Sequence, residues 1–364
     1  MAVKRSYAVI MQSNSLVVRL LKDNIRDSYK HFAVEESILR LVDEDKSPMT
    51  LRIRKYNSSV WIGVNQLVEE DVDVEYCEKM NIPIVRRPNP GGAVYQDEGS
   101  FCFSFFFKID ELFQHLNIDD PSLLYQLIGK VIIDTCQEFG VKAELSGRND
   151  VTIGGRKVYG SAQLQLYNAL VHSGTFLVKT NIEQMTKTLR PSKLKFSDKG
   201  FTNIRDRVIN FTEALNRDIE LDDIINILLN KMAKNLNLTF SKINQSFTKE
   251  ENKLIEALYK TKYSRKEWTF PKIPKSEFKI ISKTKIGIMD LTLTFDEDKI
   301  RTINLSGDYL IPEDTSLKNL LSKVINKSID ETYRIINQSD LSTNYKECLI
   351  ELFNKFQRKY QNEY

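Results

Sequence analysis

Apolar and polar residues repeat with two periods along this chain, and each switch of period marks an element. From Asn14 to Leu21 the run NSLVVRLL is rich in β-branched residues and predicts a strand. SYKHFAVEESILRLVDED then takes a helical period, with Phe32, Leu39 and Val42 on one face and Glu35 and Glu36 in its middle. TLRIRKY, Thr50 to Tyr56, alternates apolar and basic residues and predicts a strand with one face covered. SVWIGV reads as a strand, EYCEKMNI as a helix and PIVRR as a strand. SFCFSFFF, Ser100 to Phe107, is a strand of unusual aromatic weight. DPSLLYQLIGKVIIDTCQEFG has clear helix signals: Asp120 to cap, Pro121 for the first turn, Gly140 to close. DVTIGGRKVYGSAQLQL sets two strands around a Gly-Gly turn, and ALVHSGTFLV adds another. Helices are expected over Asp222 to Asn235 and Lys249 to Tyr259.

SRKEWTFPKIPKSEF breaks this pattern with two prolines and reads as a boundary. Beyond it, IGIMDLTLTFDEDKIRTINLSGDY predicts a hairpin around an acidic turn, and SLKNLLSKVIN and YKECLIELFNKF predict amphipathic helices. The expected organisation is a large domain over residues 1–268 and a small α+β domain over 269–364, within the usual domain sizes. No internal repeat is visible.

Composition narrows the partners. Hydrophobic residues make up 41% and charged residues 28% of 364, which suits a packed core. The net charge of +4 gives no electrostatic reason for an obligate nucleic-acid partner. No window approaches the ~18 apolar residues of a membrane span, and no small-residue cleavage pattern follows the N-terminal apolar run, so a cytoplasmic protein is expected. Cys77, Cys102, Cys136 and Cys348 are scattered without CxxC or Cys/His spacing, so they are expected to be reduced and buried rather than zinc ligands.

Two stretches carry candidate chemistry. In VRRPNPGGAVYQDEG, Gly91 and Gly92 let main chain approach a ligand, and alternation sends Arg86 and Arg87 to opposite faces. The stretch fits either a plain strand–turn–strand link or a cradle for a carboxylate or phosphate. In SGRNDVTIGGRKVYGSAQ, Asn149 and Asp150 offer oxygen ligands or a turn. Lys157 stands near the small cluster Gly160-Ser161-Ala162, where it is either solvated or placed to meet a buried anion.

Taken together, RRPNPGGAVYQDEGSFCFSF, SGRNDVTIGGRKVYGSAQ and HSGTFLV resemble the lipoate–protein ligase A family, which shares its fold with biotin ligases and with octanoyl and lipoyl transferases. VEESIL, VWIGVNQLVEEDVDVEYCEKMNIPIVRR, FTNIRDRVINFTEAL and KYSRKEWTFPKIPKSEF extend the likeness over most of Tyr29 to Phe278. The tail matches the family's C-terminal accessory domain in size and pattern. The resemblance implies an α+β fold of mixed sheets flanked by helices, with a catalytic domain over 1–268 and an accessory domain over 269–364. It also implies an ATP-dependent enzyme with Mg²⁺ that converts lipoate to lipoyl-AMP and pyrophosphate. The lipoyl group then passes to a lysine of a carrier domain, on a 2-oxoacid dehydrogenase E2 or a glycine-cleavage H protein. A monomer is expected, with neither nucleic acid nor membrane as partner.

Carried over residue by residue, Lys157 matches the family's essential lysine, holding the phosphate and the reacting carbonyl oxygen. Arg87 matches the arginine lining the site. Gly91 and Gly92 match two glycines of its Gly-Gly-Gly loop, and Ala93 and Val94 continue that segment. Asn149 and Asp150 match the pair near nucleotide and Mg²⁺, and Gly160, Ser161 and Ala162 the small cluster facing them. The strands around Val94 and Phe103 are expected to help form an apolar acyl slot. Four departures stand out: Pro90 replaces the first loop glycine and removes an amide donor, Gln96 and Ser173 replace histidines, and FPKIP replaces the glycine after the tryptophan. The alternatives are a transferase of the same fold acting without ATP, and a catalytically impaired carrier-binding protein. The transferases place a nucleophilic cysteine shortly before the lysine motif or in a Pro-Cys-Gly turn. AELSGRND and LRPSKLK hold none, and Cys102 and Cys136 are expected in the core.

Overall fold

The computed structural model describes residues 15–190, 203–243, 246–271, 277–309 and 315–360. Asn14, most of LRPSKLK, the start of FTNIRDRV and the proline segment at 272–276 lie outside them. An eight-stranded mixed sheet forms the backbone of the molecule. In chain order its strands are β1 (Leu16–Lys22), β2 (Thr50–Lys55), β6 (Ser100–Lys108), β7 (Glu144–Ser146), β8 (Asp150–Ile153), β9 (Arg156–Leu166), β10 (Ala169–Leu177) and β11 (Leu238–Phe240), arranged β11-β1-β2-β6-β10-β9-β8-β7. A three-stranded sheet, β4-β3-β5, is made of β3 (Ser59–Ile62), β4 (Ile84–Arg86) and β5 (Val94–Gln96). A third, β12-β13-β14, is made of β12 (Phe278–Thr284), β13 (Gly287–Asp296) and β14 (Lys299–Tyr309).

The aromatic strand explains the layering. Successive side chains of β6 point to opposite faces. Phe101, Phe103, Phe105 and Phe107 enter a core with helices Pro121–Glu138 and Leu221–Asn235, while Cys102 and Phe106 enter a second core beneath helix Ser28–Asp43. A strand covered on both sides needs no polar alternation, hence SFCFSFFF. Asp120 caps its helix by accepting from Ser122 N, and Asp27 caps Ser28–Asp43 by accepting from Tyr29 N and Lys30 N. Gly154 and Gly155, with φ of 56° and 78°, turn β8 into β9.

One expectation is corrected. Thr50 to Tyr56 is not half-covered: β2 lies between β1 and β6 and is buried on both faces, its arginines included. Arg52 donates to Asp23 at 2.6 Å and to Glu35 at 2.9 Å, and Arg54 lies 3.3 Å from Glu35. Ion pairing lets these cations occupy core positions that burial alone would forbid.

A separate apolar cluster runs from Ile280 to Phe356, built on β12–β14 and helices Ile329–Gln338 and Thr343–Tyr360. It meets the rest of the chain where Gly307 N donates to Asn65 O at 2.8 Å and where Lys279 pairs with Glu70.

Candidate active site

The β8–β9 hairpin places most of the predicted groups. Lys157, the second residue of β9, extends over Gly160: a Cβ at Gly160 would stand 2.2 Å from its Nζ. Glycine is required there because the ammonium fills that volume. Lys157 Nζ lies 2.6 Å from Asp150 Oδ1, and neither side chain is fully exposed. Asn149 and Ser161 clasp each other, with Asn149 Nδ2 donating to Ser161 O at 2.6 Å and Ser161 N donating to Asn149 O at 3.0 Å. The Arg207–Val208–Ile209 stretch packs alongside, with Ile209 N donating to Lys157 O at 2.9 Å.

Facing the hairpin, the glycine loop joins β4 to β5. Alternation separates the two arginines as expected. Arg86 spends its donors on five carbonyl oxygens, those of Gly63, Val64, Gln66, Trp268 and Thr269, and Trp268 Nε1 donates back to Arg86 O. Arg87 turns under the loop and donates to Trp61 O at 3.1 Å, Pro90 O at 3.3 Å and Gly92 O at 2.8 Å. Its guanidinium therefore shapes the loop through carbonyls. Burial draws the Arg87 pKa down to about 10, against the opposing influence of Asp308. Gly91 holds φ of 111°, and a Cβ there would stand 2.9 Å from Arg87 Nη2. Gly63 approaches the Gly91 carbonyl so closely that a Cβ would fall 2.0 Å from its oxygen.

Hairpin and loop border one cavity of about 510 Å³. Every predicted site residue lines it: Lys157, Arg87, Gly91, Gly92, Ala93, Val94, Asn149, Asp150, Gly160, Ser161 and Ala162. Phe103 does not; it stacks against Tyr159 and His172 on the opposite face of the sheet, because alternation turns Cys102 toward the cavity instead. Cys102 is thus buried but borders the cavity, whereas Cys136 is core. The departures also have partners. Gln96 Nε2 donates to Thr175 Oγ1 at 2.9 Å and its Oε1 accepts from Ser100 at 2.9 Å, while Ser173 lies 2.9 Å from Ser104 Oγ.

Sequence reasoning missed two contributions. Arg54, Phe32 and Trp61 line the far side of the cavity, and the C-terminal sheet supplies Lys285, Ile286, Gly287 and Asp308. The acidic Glu35 and Glu36 inside an apolar helix face were the signal for buried cations; nothing in the tail marks Asp308.

Residues 27–233, more than half of the chain, match the lipoyl protein ligase A/B catalytic domain. Lipoate–protein ligase 1 of Staphylococcus aureus is 29% identical over 300 residues, 82% of this chain and 87% of that protein. An archaeal bi-partite lipoate protein ligase from Thermoplasma acidophilum, solved in work on that ligase and its E2 lipoyl domain, is similar with a TM-score of 0.60. It is 26% identical and covers 73% of this chain and 100% of its own. A lipoate-protein ligase A bound with ATP gives a TM-score of 0.58 at 25% identity, covering 71% and 99%.

Proposed function

The chain belongs to the lipoyl protein ligase A/B family, and from that premise we propose that it is an ATP-dependent lipoate–protein ligase. Lipoate attacks the α-phosphorus of ATP through its carboxylate, pyrophosphate leaves, and the lipoyl-AMP formed passes its acyl group to a lysine amine, releasing AMP. A free carboxylate is a poor electrophile, so the adenylate must come first. The observation carrying this reading is the Lys157 ammonium, held by Asp150 over Gly160 and lining the same cavity as the Gly91-Gly92 loop.

Lys157 is the catalytic residue. Its ammonium neutralises charge on the α-phosphate and on the acyl oxygen as the bond forms, in a site fixed before substrate arrives. Gly91, Gly92, Ala93 and Val94 bring main chain against the ligand, and Arg87 fixes that loop. Gly160, Ser161 and Ala162 keep the opposite wall low. The donors fit magnesium held chiefly by phosphate oxygens: Asp150 offers one carboxylate beside Asn149, and among the described residues no group of three or more His, Cys, Asp or Glu side chains is placed for a metal. Asp150 and Asn149 would hold the ion, which when bound neutralises phosphate charge.

The acceptor is a lipoyl-domain carrier, of the E2 or H-protein kind. The Thermoplasma ligase, with its E2 lipoyl domain, supports the class of partner. The protein acts as a cytoplasmic monomer; no described helix is long and apolar enough to cross a membrane. We divide the chain at 268/269, a reading supported by the separate apolar cluster after Ile280. No cavity cysteine stands at Lys157 to favour a thiol transferase: Cys102 pairs with Thr175, which pairs with Gly160, two strand spacings or about 10 Å away. Incubation with ATP, lipoate and an apo lipoyl domain, read by mass spectrometry, tests the proposal. One lipoyl group is added only with ATP; addition without ATP contradicts it.

A further inference from the structure

One row of paired residues crosses the sheet beneath the cavity. Arg54 of β2 faces Cys102, Cys102 faces Thr175, Thr175 faces Gly160, and Gly160 faces Asp150. Directly paired residues stand on the same face, and neighbouring strands lie ~4.8 Å apart. Gly160, beneath the Lys157 ammonium, is therefore three spacings or about 14 Å from Arg54. A medium-chain acid lying along this row, with its carbonyl at Lys157, brings its far end to Arg54.

That end is dry and cationic. Arg54 is 2% exposed. Its Nη2 is engaged by Ser104 Oγ at 2.9 Å, Cys102 Sγ at 3.1 Å and Glu35 Oε2 at 3.3 Å. Nε and Nη1 are buried and make no hydrogen bond among the described residues. The guanidinium carbon sits 5.5 Å from the Trp61 ring centroid and 5.8 Å from that of Tyr56. Charge is already balanced there, since Arg52 and Arg54 face Asp23 and Glu35. The two donors thus call for a neutral acceptor rather than an anion.

Resting on the ligase reading above, we propose that Arg54 is the specificity-determining residue at the far end of the acyl slot. Its Nε–H and Nη1–H select a chain whose end carries neutral acceptor atoms, such as the two sulfurs of a dithiolane ring, over a plain alkyl end. A terminal methyl lying there keeps both donors from water and gives them nothing, so their desolvation is uncompensated. Sulfur is a weak acceptor but a polarisable one, and meets them in part.

The test compares kcat/KM for pyrophosphate release with lipoate, octanoate, 8-hydroxyoctanoate and suberate. The unaltered enzyme uses lipoate and 8-hydroxyoctanoate at least ~10-fold better than octanoate. In Arg54→Met this preference collapses, chiefly because octanoate improves. Equal use of octanoate and lipoate by the unaltered enzyme overturns the proposal, as does Arg54→Met with the preference intact. Suberate preferred over lipoate overturns the neutral-acceptor claim. If Arg54→Met does not fold, the acid series on the unaltered enzyme decides alone. Failure of the ligase reading looks different: no acid of the series then releases pyrophosphate.

Discussion

At the Lys157 end of the cavity, Asn149, Asp150, Lys157, Gly160 and Ser161 all come from one hairpin and the residue before it. At the Arg54 end, Asp23, Glu35, Arg54, Ser104 and Ser173 come from five separate segments joined by ion pairs and hydrogen bonds. The first end is partly open and tolerates loss of a charge; the second is dry, and each charge there depends on the others. Local assembly concentrates chemistry where little stability is at stake. Long-range assembly ties substrate recognition to the fold itself.

The contrast breaks or sharpens by substitution. Glu35→Ala leaves two buried guanidiniums facing Asp23 alone, and should cost ~3–5 kcal/mol of unfolding free energy, read from urea denaturation. A loss under ~0.5 kcal/mol, the size usual for surface sites, would dissolve the distinction between the ends. Lys157→Ala should do the reverse: adenylate formation falls ~10²–10³-fold while stability changes by less than ~0.5 kcal/mol. Retained pyrophosphate release would remove Lys157 from its role.

A buried histidine on the other face of the sheet gives a smaller effect. Burial pushes His172 down to about 3, and its ring stays neutral between the Tyr159 hydroxyl and Gln163. The unfolded chain takes up that proton below ~6.5. Its contribution is therefore present above pH 6.5 and lost as pH falls toward 3, about 2 kcal/mol of it by pH 5. His172→Gln should flatten that part of the stability–pH curve; an unchanged slope would assign it to other groups. Smallest is Gly91→Ala, where the left-handed backbone strain is ~1–2 kcal/mol. It should raise KM for ATP or lipoate more than it lowers Tm, and a normal KM would show that the loop shape is not needed.

The same division governs what the sequence reveals. Asn149, Asp150, Lys157 and Gly160 share a hairpin, so their spacing along the chain is nearly their spacing in space, and the Gly154-Gly155 turn announces the register. The paired arginines before Gly91 were separable by alternation alone, though not the fact that Arg87 would hold carbonyls instead of an anion. Arg54 was hidden because period-two basic residues ordinarily face water. Only the neighbouring strands and Glu35, brought in from a helix, turn that face inward. Asp308 was hidden for a related reason, since its approach to the cavity depends on how the C-terminal sheet docks at Asn65.

The central claim is that Lys157 assists attack of lipoate on ATP before any carrier arrives. Exchange of labelled pyrophosphate into ATP, without carrier protein, tests it most directly. The account predicts exchange that requires lipoate and is nearly abolished in Lys157→Ala. Exchange independent of lipoate, or undiminished in that variant, would contradict it.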